Sequence, residues 1–141
     1  MSNPNHIATP DLNRLPSYVR RHRLATISTK DDNDEYTNET VPTEELDKAE
    51  VVTSEVAEGA YKGLHRPILD IDLAATIIPS STFGHGHLYI NHTLTWGQYE
   101  KLLNVLAEVG IIEEGYARAS IERQHTAVRL PWVRKPSVME L

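Results

Sequence analysis

Two aspartates separated by one residue carry the strongest chemical signal in this sequence. Asp70 and Asp72 occur in residues 67–73, where apolar and polar side chains alternate. Alternation with a period of two predicts a strand, in which both carboxylates share one face about 7 Å apart. From that spacing they can reach one or two hard cations such as Mg²⁺ or Mn²⁺. The alternative is a solvated polar face, which half-exposed sheets commonly have.

Two physical arguments favour a metal over a merely solvated face. The carboxylates of Asp70 and Asp72 repel each other unless a cation lies between them. Aspartate is also disfavoured in strands, so two of them in one short strand call for an explanation. The sequence therefore predicts a divalent metal at this face.

A run rich in small residues follows at positions 80–87, Ser-Ser-Thr-Phe-Gly-His-Gly-His. Hydroxyl residues and glycines ahead of a strand can present backbone amides to a phosphate group. His85 and His87 alternate, so they are expected to point the same way, and one of them can share the face of the aspartates. Two alternatives remain open. One is a polar hairpin turn with two surface histidines, and the other is a zinc site built from histidine and aspartate.

The order of these motifs resembles that of the archaeo-eukaryotic primases and related primase-polymerases. In that family a hydrophobic-Asp-hydrophobic-Asp strand precedes a Ser/Gly-rich turn that leads to a histidine at the start of the next strand. An Arg-Leu-Pro segment and a lysine follow later. The counterparts here are residues 69–72, residues 81–90, and residues 129–131 with Lys135. The resemblance implies an RRM-like palm, a role in DNA replication, and a nucleotide or single-stranded nucleic acid as ligand.

The same resemblance implies a role for each matching residue. Asp70 and Asp72 would hold Mg²⁺ or Mn²⁺ and, with His87, would form the catalytic group. His87 and Ser81 would contact the nucleotide phosphates, and Arg129 and Lys135 would supply further positive charge. His85, in the same run as His87, is a further candidate for binding phosphate. The family's third acid, on a later strand, has no counterpart in the last predicted strand. A two-metal mechanism clamps both the attacking and the leaving oxygen, so the resemblance predicts binding and leaves turnover open.

The chain divides in composition near residue 65. Residues 1–64 form a polar, acidic arm, which we expect to be largely flexible, with one short strand within residues 18–29 and a short helix over residues 43–58. Residues 30–41 lack an apolar face and cannot offset their ordering entropy, so we expect them to be mobile. Residues 65–135 are predicted to form one α+β domain, and residues 136–141 a tail.

The predicted domain is a small antiparallel or mixed sheet with helices on one face, since this arrangement buries one apolar side of each element. Thr95 and Gln98 match the capping box that begins a helix, and Gly110 suits the left-handed residue that closes it. Whether a second helix or a loop follows is left open by the sequence. Strands are expected at residues 67–73, 75–78, 86–90 and 127–130.

Composition excludes several classes of protein. The net charge of −6 argues against a protein that coats nucleic acid non-specifically, although basic clusters at residues 20–23 and around Arg129 and Lys135 could still bind phosphate. With no cysteine there is no disulfide framework and no thiol nucleophile. No apolar stretch approaches the roughly 20 residues of a membrane span, and no secretion signal is recognised, so a cytoplasmic protein is expected.

A second interpretation belongs to a different functional class. In this interpretation the chain is a non-catalytic module that binds a protein partner, and its general character also resembles that of small actinobacterial phage proteins. The acidic arm and the segment around Trp132 would then supply the contacts. A palm used only as a scaffold fits this interpretation equally well, because a fold does not dictate a function.

Overall fold

The structure is a computed structural model that describes residues 3–28 and 39–136. The chain divides into two compact units, an N-terminal unit, Met1–Asp70, and a C-terminal unit, Ile71–Leu141. Within the described residues, no helix is long and apolar enough to cross a membrane. Residues 30–38 of the expected mobile stretch lie outside the described residues, whereas its last three residues, 39–41, belong to a strand. Most of the expected tail at 136–141 also lies outside the described residues.

The N-terminal unit is built on a three-stranded antiparallel sheet. Its strands are β1 (His22–Ser28), β2 (Glu39–Thr43) and β3 (Val51–Val56), and β1 lies in the centre. Two short 3₁₀ helices, Leu12–Arg14 and Ser17–Val19, precede β1. The expected strand within residues 18–29 is therefore present as β1.

The predicted helix over residues 43–58 is wrong. These residues contain the end of β2, a turn and the whole of β3. The helical spacing of Leu46, Ala49, Val52 and Val56 produced the prediction, but the stretch 51–56 is rich in β-branched residues that favour strands. It pairs with the edge of β1 that faces away from β2, with Leu24 opposite Val52 and Ala25 opposite Val51. Pairing with a distant strand has overridden a weak local preference.

Polar side chains tie the strands of the N-terminal unit together. Arg23 Nε donates to Glu55 Oε1 across the β1–β3 pair, and Thr53 Oγ1 donates to the carbonyl of Arg23 over 2.9 Å. His22 is 3% exposed, and its Nδ1 lies 2.7 Å from the carbonyl oxygen of Thr53, so Nδ1 carries a proton. Around it the apolar core of the unit consists of Val19, Ala25 and Val56.

The C-terminal unit consists of a two-stranded hairpin and two helices. Strands β4 (Ala75–Pro79) and β5 (Gly86–Ile90) pair antiparallel, with Ile77 opposite Leu88. Helix α1 is Trp96–Glu108 and helix α2 is Glu114–Arg123. The strands predicted at residues 75–78 and 86–90 and the first helix are confirmed, and a helix occupies the position that the sequence left open.

Helix α1 begins and ends as its capping residues predict. Thr95 Oγ1 accepts from the backbone N–H of Gln98, and the Gln98 side chain accepts from the N–H of Thr95, which completes the capping box. Gly110 follows the helix with φ +82°, a conformation that glycine adopts without strain. The buried residues of the two helices are Leu103, Ala117 and Ser120.

Two predicted strands are absent from the described residues. Residues 67–73 contain no strand, and Leu69, Ile71 and Leu73 are 77%, 52% and 41% exposed. Alternation marks a segment that could pair, but it cannot supply the partner. Residues 127–130 likewise form no strand. The α+β class is confirmed, with a three-stranded and a two-stranded antiparallel sheet among the described residues in place of the single sheet expected.

Candidate nucleic-acid interface

The loop that joins β4 to β5, residues 80–85, is closed by its own hydrogen bonds. The N–H of Ser80 donates to the carbonyl of His85, and the N–H of His85 donates to the carbonyl of Thr82, both over 3.0 Å. Ser80 Oγ also accepts from the N–H of Thr82 over 3.2 Å. Gly84 has φ +80°, which lets the chain turn back toward β5. We call this segment the hairpin loop.

One aromatic ring stands out from the hairpin loop. Phe83 is 101% exposed and is the only phenylalanine in the chain. It lines an open pocket of about 590 Å³ together with loop residues and the facing side of the strands. The other lining residues are Ile77, Pro79, Ser80, Thr82, Gly84, His85, Gly86 and Leu88. Exposed aromatic rings of this kind are surfaces on which nucleic-acid bases can stack.

The structure separates the two histidines. His87 is half-buried and lies opposite Ile78, on the face that it shares with Tyr89 and Thr76. His85 precedes the strand and lines the pocket beside Ile77 and Leu88, which belong to the other face. Strict alternation would have kept both histidines on one side, but the turn at Gly84 and His85 interrupts it. Each histidine therefore serves a different surface.

Neither aspartate lies in a strand. Asp70 is the last residue of the N-terminal unit, Asp72 is the second residue of the C-terminal unit, and both are exposed. Asp72 precedes Ala74, whose carbonyl accepts from the N–H of Asn91 over 2.8 Å at the open end of the hairpin. From residue 74 to residue 80 the chain advances about 20 Å at strand geometry. Asp72 thus precedes β4, whereas the hairpin loop follows it.

The basic residues singled out in the sequence lie in the segment after α2. Arg129 and Lys135 are exposed and belong to no strand or helix. Between residues 123 and 136 the sequence has four Lys or Arg and no Asp or Glu. A turn within this segment, closed by the N–H of Val133 and the carbonyl of Leu130, leaves Trp132 78% exposed. Ser81, the last of the predicted phosphate contacts, is exposed in the hairpin loop.

Among the described residues, no group of three or more His, Asp and Glu is placed so that it could hold a metal ion. A closed site of the kind that zinc prefers needs three or four protein ligands. Mg²⁺ differs, because it is commonly held by one or two carboxylates while waters and ligand phosphates complete the shell. The arrangement therefore gives no support to a zinc site, and a magnesium site would have to be completed by a bound ligand.

Sequence reasoning missed Phe83. The signal that could have found it is composition, since the single phenylalanine of the chain falls in a turn and not in a strand or a helix. Comparison with known proteins adds no further residue, because no family model, curated protein or solved structure was found to match this chain.

Proposed function

We propose that the C-terminal unit binds single-stranded nucleic acid or a nucleotide, with Mg²⁺ or Mn²⁺ assisting, as a reduced primase-type palm. The observation that carries the proposal is the fully exposed ring of Phe83 above a pocket with hydroxyls and His85. Exposing a large aromatic side chain to water is unfavourable, and stacking on a base removes that cost.

The charges of the C-terminal unit are compatible with a nucleic-acid ligand even though the whole chain is acidic. Residues 71–141 contain seven Asp or Glu and six Lys or Arg, a balance of −1, so −5 of the total −6 belongs to residues 1–70. The acid-free segment at residues 123–136, with Arg129 and Lys135, supplies positive charge for phosphates. Local charge of this kind attracts an anionic strand despite a negative total.

The position of the aspartates favours single-stranded nucleic acid over a single nucleotide as the ligand. The hairpin loop and Asp72 are separated by the length of β4, about 20 Å at strand geometry. A chain of several nucleotides can extend along such a surface, and sites of 4 to 16 nucleotides are usual for single-strand binding folds. Asp70 and Asp72 are two residues apart, so their Cα atoms lie within about 7 Å of each other in any backbone conformation. We therefore propose that Asp70 and Asp72 bind the Mg²⁺ or Mn²⁺ ion.

The stacking role is tested by fluorescence anisotropy with a labelled 12-nucleotide thymidine strand, with and without manganese. Phe83→Ala should weaken binding by about 5- to 150-fold, because stacking on one base is worth about 1–3 kcal/mol. Ile7→Ala is the matched control, since Ile7 is 102% exposed and lies in the other unit. If wild type binds neither the strand nor a nucleoside triphosphate, the proposal fails.

The phosphate contacts are tested by salt and by substitution. Each contacted phosphate should contribute about 0.7 to the slope of log affinity against log salt concentration for a single strand. His85→Ala and Arg129→Gln should each weaken binding, and Arg129→Gln, which removes a positive charge, should also lower that slope. His87→Ala tests the histidine that the primase resemblance implies, which lies on the face of the hairpin opposite to the pocket. If His87→Ala weakened binding as much as Phe83→Ala, the nucleic acid would contact the face of the hairpin that carries Tyr89 instead of the pocket.

The metal is tested by thermal unfolding with manganese. An ion that binds only the folded state raises the melting temperature by mass action. The shift should be present in wild type and absent when Asp70→Asn and Asp72→Asn are combined. If manganese shifts both proteins equally, the aspartates are not its ligands.

A second candidate function rests on one separate observation. Trp132 is 78% exposed, and Leu130 beside it is 52% exposed, so the segment after α2 presents apolar surface to solvent. Tryptophan and arginine are the residues most enriched where proteins bind one another. A non-catalytic interaction module would lose its partner on Trp132→Ala while its affinity for a nucleic-acid strand stayed unchanged.

A further inference from the structure

The hydrogen bonds of the hairpin show which backbone groups face outward. At one end Asn91 N–H donates to the carbonyl of Ala74, and at the other Ser80 N–H donates to the carbonyl of His85. Bonded and non-bonded pairs alternate along an antiparallel ladder, so the pairs 76–89 and 78–87 are bonded as well. The residues of the alternate pairs, which are not bonded to each other, direct their backbone polar groups away from the hairpin. They are Ala75, Ile77 and Pro79 on β4, and Gly86, Leu88 and Ile90 on β5.

The two outer edges of the hairpin differ. On β4 the outward position nearest the loop is Pro79, which has no N–H to offer, and proline is one of the residues that blunt an edge strand. On β5 the outward groups of Gly86 and Leu88 carry no such protection. Among the described residues, the carbonyl of Ile90 is engaged by the N–H of His92 over 2.9 Å. Within the described residues, no strand pairs with the outer edge of β5.

Charge does not protect this edge either. Residues 73–99 contain no Asp, Glu, Lys or Arg, in a chain where such residues make up 24%. Exposed edges of natural sheets commonly carry a charge, most often lysine, which prevents them from pairing with another copy. The outer edge of β5 therefore meets an identical edge without repulsion between like charges.

The side chains along the edge are apolar on one face. Leu88 and Ile90 are 59% and 48% exposed, and Ile77 on the neighbouring strand is 69% exposed. All three lie on the same face of the hairpin. An isolated two-stranded hairpin is marginal in water, and added strands with an apolar face stabilise it.

We propose that β5 pairs antiparallel with β5 of a second copy of this chain, so that two hairpins form one four-stranded sheet. The outward residues Gly86, Leu88 and Ile90 are symmetric about Leu88. A two-fold axis at Leu88 therefore places Leu88 opposite its equivalent and Gly86 opposite Ile90. The N–H and carbonyl of each Leu88 would then pair with those of its equivalent, and the N–H of Ile90 would donate to the carbonyl of Gly86, since the carbonyl of Ile90 already accepts from His92. The proposal does not depend on the proposed function, because the hairpin loops would lie at opposite ends of the joined sheet.

The occupant is a second copy because the edge complements itself in hydrogen bonding and carries no charge that would repel an identical edge. A closed, two-fold contact of this kind is isologous and stops at a dimer, since the other edge ends in Pro79. Pairing one five-residue strand with its copy buries less than the roughly 1,600 Å² of a standard interface. The dimer therefore forms with a Kd in the micromolar range.

Sedimentation equilibrium of the full chain between 5 and 500 µM tests the association. Wild type should pass from monomer to dimer over this range. Leu88→Lys should raise the Kd at least tenfold, because it places two like charges opposite each other on the two-fold axis. Ile77→Lys is the matched control, since it adds the same charge to the same apolar face but on the strand that does not pair. Its Kd should stay within threefold of wild type.

Amide hydrogen exchange of the unaltered chain provides a test that no substitution can confound. The outward N–H of Leu88 should exchange more slowly as concentration rises, whereas the outward N–H of Ile77 should not change. A chain that stays monomeric at 500 µM overturns the proposal. So does a dimer that Ile77→Lys and Leu88→Lys weaken equally, because it would be held by face-to-face stacking.

Discussion

The strands of the two compact units are held together in different ways. In the N-terminal unit, polar side chains bridge the strands, as in the Arg23–Glu55 ion pair and the bond from Thr53 Oγ1 to the carbonyl of Arg23. In the C-terminal unit, the hairpin of β4 and β5 carries no formal charge, and no ion pair between described residues joins its strands. One sheet uses its side chains to fix its own register. The other leaves its side chains available for contacts outside itself.

This difference assigns different roles to the two halves of the chain. Directional bonds between side chains specify one register and penalise every other, which suits a sheet that must assemble from distant segments. An uncharged hairpin with apolar side chains exposed has no such internal restraint. Both proposals made above, the stacking ring of Phe83 and the pairing edge of β5, belong to this second sheet. The comparison can be tested by disturbing each unit in turn.

The largest effect is expected from Leu103→Ala in the C-terminal unit. Leu103 is 2% exposed, and removing its side chain should lower the free energy of unfolding by about 2–4 kcal/mol. Both tryptophans, Trp96 and Trp132, lie in this unit, so tryptophan fluorescence in a urea titration reports it selectively. Leu102→Ala, at a 37% exposed position on the same helix, is the control and should cost less than about 1 kcal/mol.

The next effect should appear in the N-terminal unit with His22→Ala. The substitution leaves the part-buried carbonyl of Thr53 without the donor that the buried His22 provides from Nδ1 at 2.7 Å, and this should cost about 1–3 kcal/mol. The amide resonance of Ala25 reports the unit by NMR during denaturation. His65→Ala, at an exposed position, should have a smaller effect. Equal effects of the two substitutions would show that burial of His22 does not matter.

A third substitution removes a cap from the C-terminal unit. Thr95→Ala deletes the oxygen that accepts from the N–H of Gln98, and a lost N-cap of this type costs about 1 kcal/mol. Thr93→Ala, two residues earlier at an exposed position, is the control. A loss as large as that of Leu103→Ala would mean that α1 depends on its first turn more than on its packing.

The smallest effect is a pH dependence confined to the N-terminal unit. The Arg23 side chain, by its hydrogen bond and its charge, lowers the pKa of Glu55 below its ordinary value. A carboxylate with a lowered pKa stabilises the fold above its ordinary pKa of about 4.3, and this contribution is lost as pH falls through the lowered value. Denaturation of wild type and Glu55→Gln between pH 3 and 6 should differ at the upper end and converge at the lower end. Glu108→Gln serves as the control.

Local signals predicted much of the C-terminal unit. The β-branched residues before Pro79, the capping box of Thr95 and Gln98, and Gly110 all act over a few residues, and the structure contains the elements they predict. The N-terminal sheet could not be predicted in the same way, because β1 and β3 are joined by pairs such as Leu24 with Val52. Their partners are 28 residues apart, and no local pattern encodes that pairing.

The candidate site shows the same limit. Alternation in the sequence predicted a strand for Asp70 and Asp72, but the described residues include no strand there. It also predicted a shared orientation for His85 and His87, which the left-handed Gly84 and the turn around it interrupt. Phe83 gains its exposure from that same turn. Turn geometry, which depends on the hydrogen bonds of Ser80, Thr82 and His85, thus decides which side chains meet a ligand.

Close contact at Gly86 constrains how this hairpin can vary in sequence. A β-carbon at position 86 would lie 2.9 Å from Ile77 Cγ2, closer than carbon atoms tolerate, whereas a β-carbon at Gly97 would meet nothing within 4 Å. The contact is with a branch on the Cβ of Ile77, which cannot swing away without a change of rotamer. Alanine at position 86 should therefore be accepted only when residue 77 loses that branch, as in Ile77→Ala. Positions 77 and 86 form an epistatic pair, and in a saturating library of double variants a side chain at position 86 should appear only together with a change at position 77.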